Sequence, residues 1–356
     1  MVRPHTMHGI ARYVHQLVEW FSRFDTPHQF FPLVQEDSPF LERSWPSHVH
    51  CTVLQSPWIS FREQWNLPRL LKALNIDLFH APSFVAPLFC PCKMIMTIHD
   101  LNHIVLPQYY TPLHQFYYST VVNRSIKRSE FLLTVSEFSK NEIVSKLRVV
   151  PEKIQVTYNG VSELYKPIQN KDWLQYVREL YELPAKFLFC LANNKPHKNV
   201  QQLVRAYAYS KIEIPLVLAG PANADLIRLA DYYGKKHQLF FVRFIEEEHL
   251  PAVYSLCHLF IYPSSYEGFG LPPLEALACG APVVVANSSS LPEVVQDNAM
   301  FMNPFDMREI AATLQFALGQ IETGNRFKEK GILHARKFSW KTMAENTLKV
   351  YERCVE

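Results

Sequence analysis

Two glutamates in the last third of the chain, Glu267 and Glu275, lie eight residues apart on either side of a glycine-containing turn. The pair Pro272-Pro273 follows the turn, and proline fits the first turn of a helix, where its missing N–H is not needed. The sequence therefore predicts a turn that leads into a helix, with Glu267 ahead of the helix and Glu275 in its first turn. A helix start alone does not require two carboxylates around a glycine turn.

The predicted helix start offers backbone N–H groups as well as carboxylates. A helix N-terminus carries partial positive charge and unpaired amides, so it binds phosphate. One of the two glutamates can meet the hydroxyls of a hexose while the other accepts hydrogen bonds from a ribose diol. This combination of groups suits a sugar nucleotide. The amides concerned belong to Phe269, Gly270 and Leu271.

Polar residues also follow predicted strands, where open α/β sheets bind their ligands. His99 and Asp100 come directly after the apolar run 93–98, and Lys198 lies near the end of the loop 193–199. The Lys198 ammonium group could neutralise a diphosphate. The alternative is structural in both places: a histidine at a strand end often bonds a loop carbonyl, and a loop lysine is often only solvated.

Three further candidates lie in the first half of the chain. Gly9 precedes a helical pattern over residues 10–21, and a glycine lets the backbone approach phosphate closely. Ser136 and Lys140 follow another predicted strand and could line the acceptor side of a site.

Short β-branched and aromatic runs alternate with amphipathic helical patterns, which indicates βαβ units and parallel sheets. A chain of 356 residues suits two domains, and the Asn159-Gly160 turn with the polar stretch to residue 171 is the predicted hinge. The predicted strands are 93–98, 131–135, 154–158, 187–192, 215–220, 239–244, 258–263 and 282–286. The predicted helices include 10–21, 200–210, 246–257 and 340–355, the last capped by Ser339.

The composition excludes several classes of protein. It is 48% hydrophobic and 19% charged with a net charge of +3, which excludes general disorder and gives no indication of nucleic-acid binding. No apolar run is long enough to span a bilayer and the start lacks a signal peptide, so we expect a cytoplasmic chain. Seven scattered cysteines predict reduced thiols, with Cys90-Pro91-Cys92 the one close pair that could bind metal or react in redox chemistry.

Six strings of the sequence resemble, in the expected order, patterns of the retaining family 4 glycosyltransferases, and Glu267 and Glu275 match the Glu-x7-Glu motif of that family. The resemblance covers nearly the whole chain. The strings are His8–Tyr13, Thr97–Leu101, Thr134–Lys140, Tyr158–Val161, Asn193–Asn199 and Ser289–Glu293.

The resemblance implies a GT-B architecture, in which two Rossmann-like doubly wound α/β domains face a central cleft. It places an acceptor-side domain at residues 1–165 and a nucleotide-sugar-binding domain at 166–337. A C-terminal helix over 338–356 would cross back to the N-terminal domain. Family members usually begin with a hydrophobic strand, and here Arg3-Pro4 arrives almost at once, so we expect the first strand to be missing.

The implied activity is transfer of a hexose, with retention, from a nucleotide diphosphate sugar to a saccharide or lipid-linked acceptor. His99 and Glu267 would be catalytic, and no metal or other cofactor is expected. The strings around His99 and Lys198 resemble bacterial mannosyltransferases of surface polysaccharide or lipopolysaccharide, so GDP-mannose is the first donor and UDP-glucose the second. Peripheral contact with the inner face of a membrane would follow from a lipid-linked acceptor. The implied donor-binding residues are Gly9, Asn193, Lys198, Phe269, Gly270, Leu271 and Glu275, and the acceptor-side residues are Asp100, Ser136 and Lys140.

The chain also departs from the family pattern. Asn193 stands where many relatives have an arginine, so Lys195 or Arg12 would supply the second charge, and Ala192 and Gln296 replace common glycines. These losses leave open a non-catalytic relative that acts as a binding partner. A sugar-nucleotide epimerase or a glycogen-type synthase of the same architecture is a third alternative.

Overall fold

The computed structural model describes residues 9–56, 60, 62–111, 118–193, 195–322 and 327–356. The chain divides into two compact units: the first comprises Met1–Gly160 and Ser339–Glu356, and the second Val161–Phe338. Both units are α/β, and every strand pair among the described residues is parallel. The chain therefore leaves the first unit once, forms the second as a continuous stretch, and returns.

In the described part of the second unit, six strands form one sheet in the order β12-β11-β10-β7-β8-β9. All four residues of β10 and all four of β11 are buried, as expected for central parallel strands covered on both faces. This explains why these strands read as unbroken apolar runs. The strands are β7 Leu188–Leu191, β8 Leu216–Ala219, β9 Leu239–Val242, β10 Leu259–Tyr262, β11 Val283–Ala286 and β12 Met300–Met302.

The helices of the second unit cover this sheet and supply its main core, in which Tyr207 is fully buried. The predicted helix over 246–257 begins only at Leu250, because Pro251 fits its first turn. The helices are α6 Lys171–Leu180, α7 Val200–Tyr209, α8 Ala224–Tyr232, α9 Leu250–Leu256, α10 Leu271–Ala278, α11 Leu291–Val295, α12 Met307–Glu322 and α13 Phe327–Ala335.

In its described residues, the first unit contains a four-stranded sheet in the order β3-β4-β5-β6 and a separate pair β1-β2. Its strands are β1 Leu33–Val34, β2 Thr52–Val53, β3 Leu78–Ala81, β4 Lys93–Ile98, β5 Phe131–Thr134 and β6 Ile154–Val156. Its helices are α1 Gly9–Phe21, α2 Glu63–Ala73, α3 Asn102–Val105, α4 Asn123–Arg128, α5 Glu137–Leu147 and α14 Trp340–Val355.

A cavity of about 610 Å³ lies inside the first unit. Its lining includes Phe21 of α1, Leu33 of β1, Leu78 of β3 and Tyr351 of α14, so it touches both the two-stranded and the four-stranded sheet. The position of the expected missing strand, ahead of α1, falls outside the described residues.

Helix α14 belongs to the first unit although it follows the second in sequence. The Ser339 hydroxyl accepts a hydrogen bond from the backbone N–H of Thr342, so the predicted cap is present. The helix packs against α1, β3 and β5, and the rings of Phe21 and Tyr351 lie 5.4 Å apart. In the part of the chain that the structure describes, no helix has both the length and the apolar character needed to cross a membrane.

Gly160 lies where the chain of the first unit meets the start of α14. A Cβ atom there would lie 2.0 Å from the backbone N of Trp340 and 2.5 Å from the carbonyl carbon of Ser339. Backbone atoms cannot rotate away as a side chain can. The close approach therefore requires glycine at this position.

We expect Gly160→Ala to lower the free energy of unfolding by about 3 kcal/mol, because the added methyl group must push α14 away from the rest of its unit. Urea unfolding followed by circular dichroism would measure the loss. The matched control is Gly319→Ala in the exposed part of α12, where a Cβ atom meets nothing within 4 Å. That change should stabilise by about 0.5 to 1 kcal/mol, and equal effects of the two substitutions would contradict the argument.

Candidate active site

The glycine-containing turn between β10 and α10 has the predicted form. Gly270 has a φ of +107°, which an L side chain rarely adopts, and a Cβ atom there would lie 2.6 Å from Cδ2 of Leu291. Helix α10 begins at Leu271 with its two prolines in the first turn. One prediction is wrong: Glu275 is the fifth residue of the helix and lies in its second turn, because the helix starts one residue before the prolines.

Two serines directly ahead of α11, Ser289 and Ser290, hold this turn in place by hydrogen bonds. Ser289 Oγ accepts a hydrogen bond from the N–H of Glu267 at 3.0 Å. Ser290 Oγ lies 3.0 Å from the carbonyl oxygen of Glu267 and 2.8 Å from that of Phe269, to which it can donate. Backbone groups on both sides of Gly268 are therefore fixed by hydroxyls, and the start of α10 has a defined position.

Lys198 and Glu267 form an ion pair, with 2.5 Å between Nζ and Oε1. Their side chains are only 16% and 14% exposed. Tyr262, the last residue of β10, donates from its hydroxyl to the same Oε1 at 2.7 Å and accepts from Lys198 Nζ at 3.0 Å. The three side chains form a closed triangle of hydrogen bonds, which we call the Lys198–Tyr262–Glu267 cluster.

The electrostatics of the cluster keep the Glu267 carboxylate ionised. Burial alone would raise the pKa of Glu267, but the Lys198 ammonium and hydrogen bonds from Lys198, Tyr262 and Ser264 outweigh burial and hold that pKa below its ordinary value. Burial and the Glu267 carboxylate raise the pKa of Tyr262 well above its usual range, so the phenol keeps its proton. Glu267 is thus an anion that faces a cation and a neutral donor.

The loop that carries Lys198 is tied to the loop after β10. The carbonyl oxygen of His197 accepts hydrogen bonds from the N–H of Ser265 at 2.8 Å and from Ser264 Oγ at 3.2 Å. Asn193 Oδ1 accepts from the N–H of Lys195 at 3.0 Å, and both side chains are exposed. Asn194, the neighbour of Asn193 in the predicted phosphate loop, lies outside the described residues.

Glu275 is buried, with 3% of the residue exposed. Its Oε2 lies 3.4 Å from the hydroxyl of Tyr254, which is fully buried in α9. The second carboxylate of the pair therefore lies on α10 in the same unit as the Lys198–Tyr262–Glu267 cluster. Its contact with a ribose stays a prediction.

His99 in the first unit follows β4 and bonds a loop carbonyl, as its structural alternative predicts. Its Nε2 lies 3.0 Å from the carbonyl oxygen of Pro82. Since a carbonyl only accepts, Nε2 carries the proton and Nδ1 keeps a lone pair. Burial lowers the pKa of His99 to about 4, which the hydrogen bond to Pro82 only partly opposes, so the ring is neutral at pH 7. The ring of Tyr13 meets the His99 ring edge-on, with 4.9 Å between centroids.

Polar side chains from α1, β4, β3 and α14 form a chain of hydrogen bonds next to His99, and the sequence did not reveal it. Thr97 Oγ1 is 3.1 Å from the hydroxyl of Tyr13 and 2.7 Å from Nε2 of His80. His80 Nδ1 is in turn 2.5 Å from the hydroxyl of Tyr351 on α14. Burial and the proximity of His99 lower the pKa of His80 to about 3, so this ring is neutral as well.

The remaining predicted residues have structural contacts or exposed positions. Ser136 caps α5 by accepting from the N–H of Ser139 at 3.0 Å, and Asp100 Oδ1 accepts from the N–H of Asn102 at 3.0 Å. Lys140 is a half-buried residue of α5, and Gly9 is the exposed first residue of α1. The ligand contacts expected of these four residues stay predictions. Within the described residues, no three His, Cys, Asp or Glu side chains cluster as they would around a metal ion.

Comparisons with known proteins identify the family of the chain. Residues 7–163 match the family described as "Glycosyltransferase Family 4", and residues 178–334 match "Glycosyl transferases group 1". The serotype-specific mannosyltransferase WbdA of Escherichia coli is 30% identical over 280 residues, which are 75% of this chain but 34% of WbdA. The chain thus spans about a third of the length of WbdA. The O-antigen chain mannosyltransferase B of Escherichia coli is 28% identical over 282 residues, 77% of this chain and 74% of that protein.

A solved structure shows the same fold. The crystal structure of Anabaena HepE in complex with UDP-glucose superposes with a TM-score of 0.76 at 18% identity, covering 99% of this chain and 98% of that one. The fold and the two consecutive family matches define a glycosyltransferase of GT-B architecture. The chain belongs to the glycosyltransferases that these two descriptions name, and the two matches together cover most of its length.

Removing the cation of the cluster gives a test of its electrostatics. We expect Lys198→Met to lower the free energy of unfolding at pH 7 by about 3 kcal/mol, because it leaves a mostly buried carboxylate unpaired. Since the folded-state pKa of Glu267 is below 4.5, the contribution of the pair is present at neutral pH and is lost as the pH falls through that pKa. The deficit of the variant should therefore shrink on acidification.

Urea unfolding at several pH values would measure this dependence. The matched control is the double variant Lys198→Met with Glu267→Gln, which removes both charges and should recover most of the loss at pH 7. A deficit that stays constant as the pH falls from 7 through the pKa of Glu267 would show that lost packing, not the unpaired charge, causes the effect.

Proposed function

We propose that the protein is a metal-independent retaining mannosyltransferase, which moves mannose from GDP-mannose to a saccharide or lipid-linked acceptor in the synthesis of a cell-surface polysaccharide. The observation that carries the proposal is the Lys198–Tyr262–Glu267 cluster beside the ordered start of α10. Cation, carboxylate and helix amides lie within one unit, and these are the groups that a sugar diphosphate requires.

In this proposal, Lys198 binds the diphosphate. The ammonium already has a carboxylate partner, so a bound diphosphate would share it with Glu267. As the bond between sugar and phosphate breaks, charge builds on the leaving diphosphate, and Lys198 and the amides of Gly270 and Leu271 stabilise it. Fixed donors aimed at a developing charge need little reorganisation during the reaction, and each typically contributes 10²- to 10³-fold in rate.

Glu267 has a different task from Lys198. Its N–H, its carbonyl oxygen and its carboxylate are each held by a hydrogen bond, so the side chain has a fixed direction. A carboxylate held in this way can accept hydrogen bonds from sugar hydroxyls and orient the donor. In the same proposal Glu275 accepts from the ribose diol.

His99 contributes a neutral ring. Because Nε2–H is used by the carbonyl of Pro82, the lone pair of Nδ1 is the group that could accept a hydrogen bond from a sugar hydroxyl. A neutral imidazole does not repel an oxocarbenium-like transition state as an imidazolium would. No residue is assigned as a nucleophile in this proposal.

Mannose is proposed because relatives aligned over 280 and 282 residues are named a serotype-specific mannosyltransferase and an O-antigen chain mannosyltransferase. UDP-glucose is the second candidate donor, since the HepE structure contains it. A lipid-linked acceptor would bring the protein to the inner face of a membrane as a peripheral protein. Thermal shift with GDP, GDP-mannose, UDP and UDP-glucose in the presence of EDTA would separate these alternatives, because a ligand that binds only the native state raises the melting temperature.

Stabilisation by GDP and GDP-mannose would support the proposed donor, and stabilisation by the uridine nucleotides alone would replace it with the second. Binding that disappears in EDTA would overturn metal independence. If no nucleotide stabilises a cooperatively folded chain and no transfer to lipid-linked acceptors occurs, the non-catalytic alternative takes precedence.

Glu275→Ala tests the ribose contact. We expect the dissociation constant for GDP, measured by titration calorimetry, to rise about tenfold or more, because hydrogen bonds to a charged group are worth about 1.5 to 3 kcal/mol. Glu329→Ala on the exposed face of α13 is the matched control and should bind as the wild type does. Unchanged GDP affinity in the folded Glu275→Ala variant would remove this role.

His99→Ala tests the neutral ring. We expect kcat to fall about 10²-fold while donor affinity stays within a factor of about three, since the proposed contact strengthens in the transition state. Initial rates of mannose transfer and GDP titration would give the two values separately. A variant that lost donor affinity and kept kcat would show that His99 serves ground-state binding instead.

A further inference from the structure

Cys90 and Cys92 lie on either side of Pro91, immediately before β4. Their sulfur atoms are 3.6 Å apart. Both residues are half-buried, whereas four of the other five cysteines are buried. This pair is also separate from the candidate active site: β4 has six residues and His99 follows its far end, about 20 Å away at about 3.3 Å per residue.

The surroundings of the pair favour one thiolate. The Arg128 guanidinium lies 5.5 Å above the ring of Phe89 and donates to the carbonyl oxygen of Leu88 at 2.8 Å, which holds its charge next to the loop. The Cys92 thiol donates a hydrogen bond that, with help from Arg128 and against burial, lowers the pKa of Cys90 to about 7. The hydrogen bond to Cys90 and burial raise the pKa of Cys92, and the Asp77 carboxylate acts in the same direction.

Cys90 is thus the thiol suited to attack a disulfide first, and Cys92 is placed to react with the Cys90 sulfur afterwards. A thiol with a pKa near the ambient pH combines a large thiolate fraction with good nucleophilicity. Cys90 packs against the apolar cluster that contains Met94 and against the one that contains Leu67, and Cys92 packs against the second of these. Closing the pair requires the sulfurs to move from 3.6 Å to about 2.05 Å, a shift that a loop outside the sheet can absorb.

We propose that Cys90 and Cys92 are a reversible redox site, which forms an intramolecular disulfide by exchange with low-molecular-weight disulfides such as oxidised glutathione. The Cys90 thiolate attacks one sulfur of the small disulfide, the old S–S bond breaks, and one thiolate leaves. Cys92 then loses its proton to solvent and attacks the Cys90 sulfur, which releases the second thiolate. The two cysteines are oxidised by two electrons, and the small disulfide is reduced to two thiols, which take up the two protons.

The position of the pair gives oxidation a structural consequence. Lys93, the next residue after Cys92, donates from Nζ to the carbonyl oxygen of Cys354 in α14 at 2.6 Å. A ring closed across Pro91 constrains the residue that holds the end of α14 to the sheet. The oxidised form should therefore differ from the reduced form at the contact between β4 and α14, at the end of β4 opposite His99.

The test uses the full, folded chain with oxidised glutathione at pH 7. We expect the intact mass to fall by two hydrogens, peptide mapping to place the new disulfide between Cys90 and Cys92, and reduced glutathione to reverse it. Cys90 should react at least about tenfold faster than Cys51, the remaining half-buried cysteine, because an ordinary thiol is only a few per cent thiolate at this pH.

Two variants divide the reaction into its steps. Cys92→Ser should accumulate a mixed disulfide on Cys90 with one glutathione, while Cys90→Ser should react no faster than Cys51. Thermal melting shows whether either variant is folded, and the wild-type result stands without them. The proposal is overturned if the wild-type chain stops at the glutathione adduct, or if Cys90 and Cys51 react at the same rate.

Discussion

The ion pair between Lys198 and Glu267 is the interaction on which the second unit's site depends. Two opposite charges that are mostly removed from water stabilise a structure only when their geometry is close and their remaining hydrogen-bonding groups are satisfied. Here Tyr262 completes the set, and serine hydroxyls fix the backbone of Glu267. The turn around Gly270, the loop before α7 and the end of β10 are therefore held together by one polar arrangement.

The first unit uses the opposite electrostatic arrangement. Its central groups are rings that burial keeps neutral: His99 faces a carbonyl and an aromatic edge, and His80 lies between two hydroxyls. No carboxylate appears among the described hydrogen-bond partners of either ring, which is why their pKa values fall and do not rise. The charged cluster and the neutral rings thus belong to different units, each with its own core.

The sequence predicted much of the second unit because its strands are buried on both faces and read as continuous apolar runs. It failed where elements are short or contacts are distant. Strands β1 and β2 have only two residues each, too few for a recognisable alternation. Tyr262 and Ser289 looked like ordinary strand-end and loop residues, because their roles arise from neighbours that lie close in space and not in sequence. Glu275 was predicted in the first turn of α10 but lies in the second, because the helix begins one residue before the prolines that indicate its start.

The return of α14 to the first unit has a consequence for how the chain folds during synthesis. The contact between His80 and Tyr351 joins residues 271 positions apart, so the first unit must wait until the second has left the ribosome. The second unit is continuous and can fold while the first is still incomplete. Once folded, it replaces a long flexible loop by a compact body, which reduces the entropy lost when α14 docks. The order of folding is therefore expected to run against the order of translation.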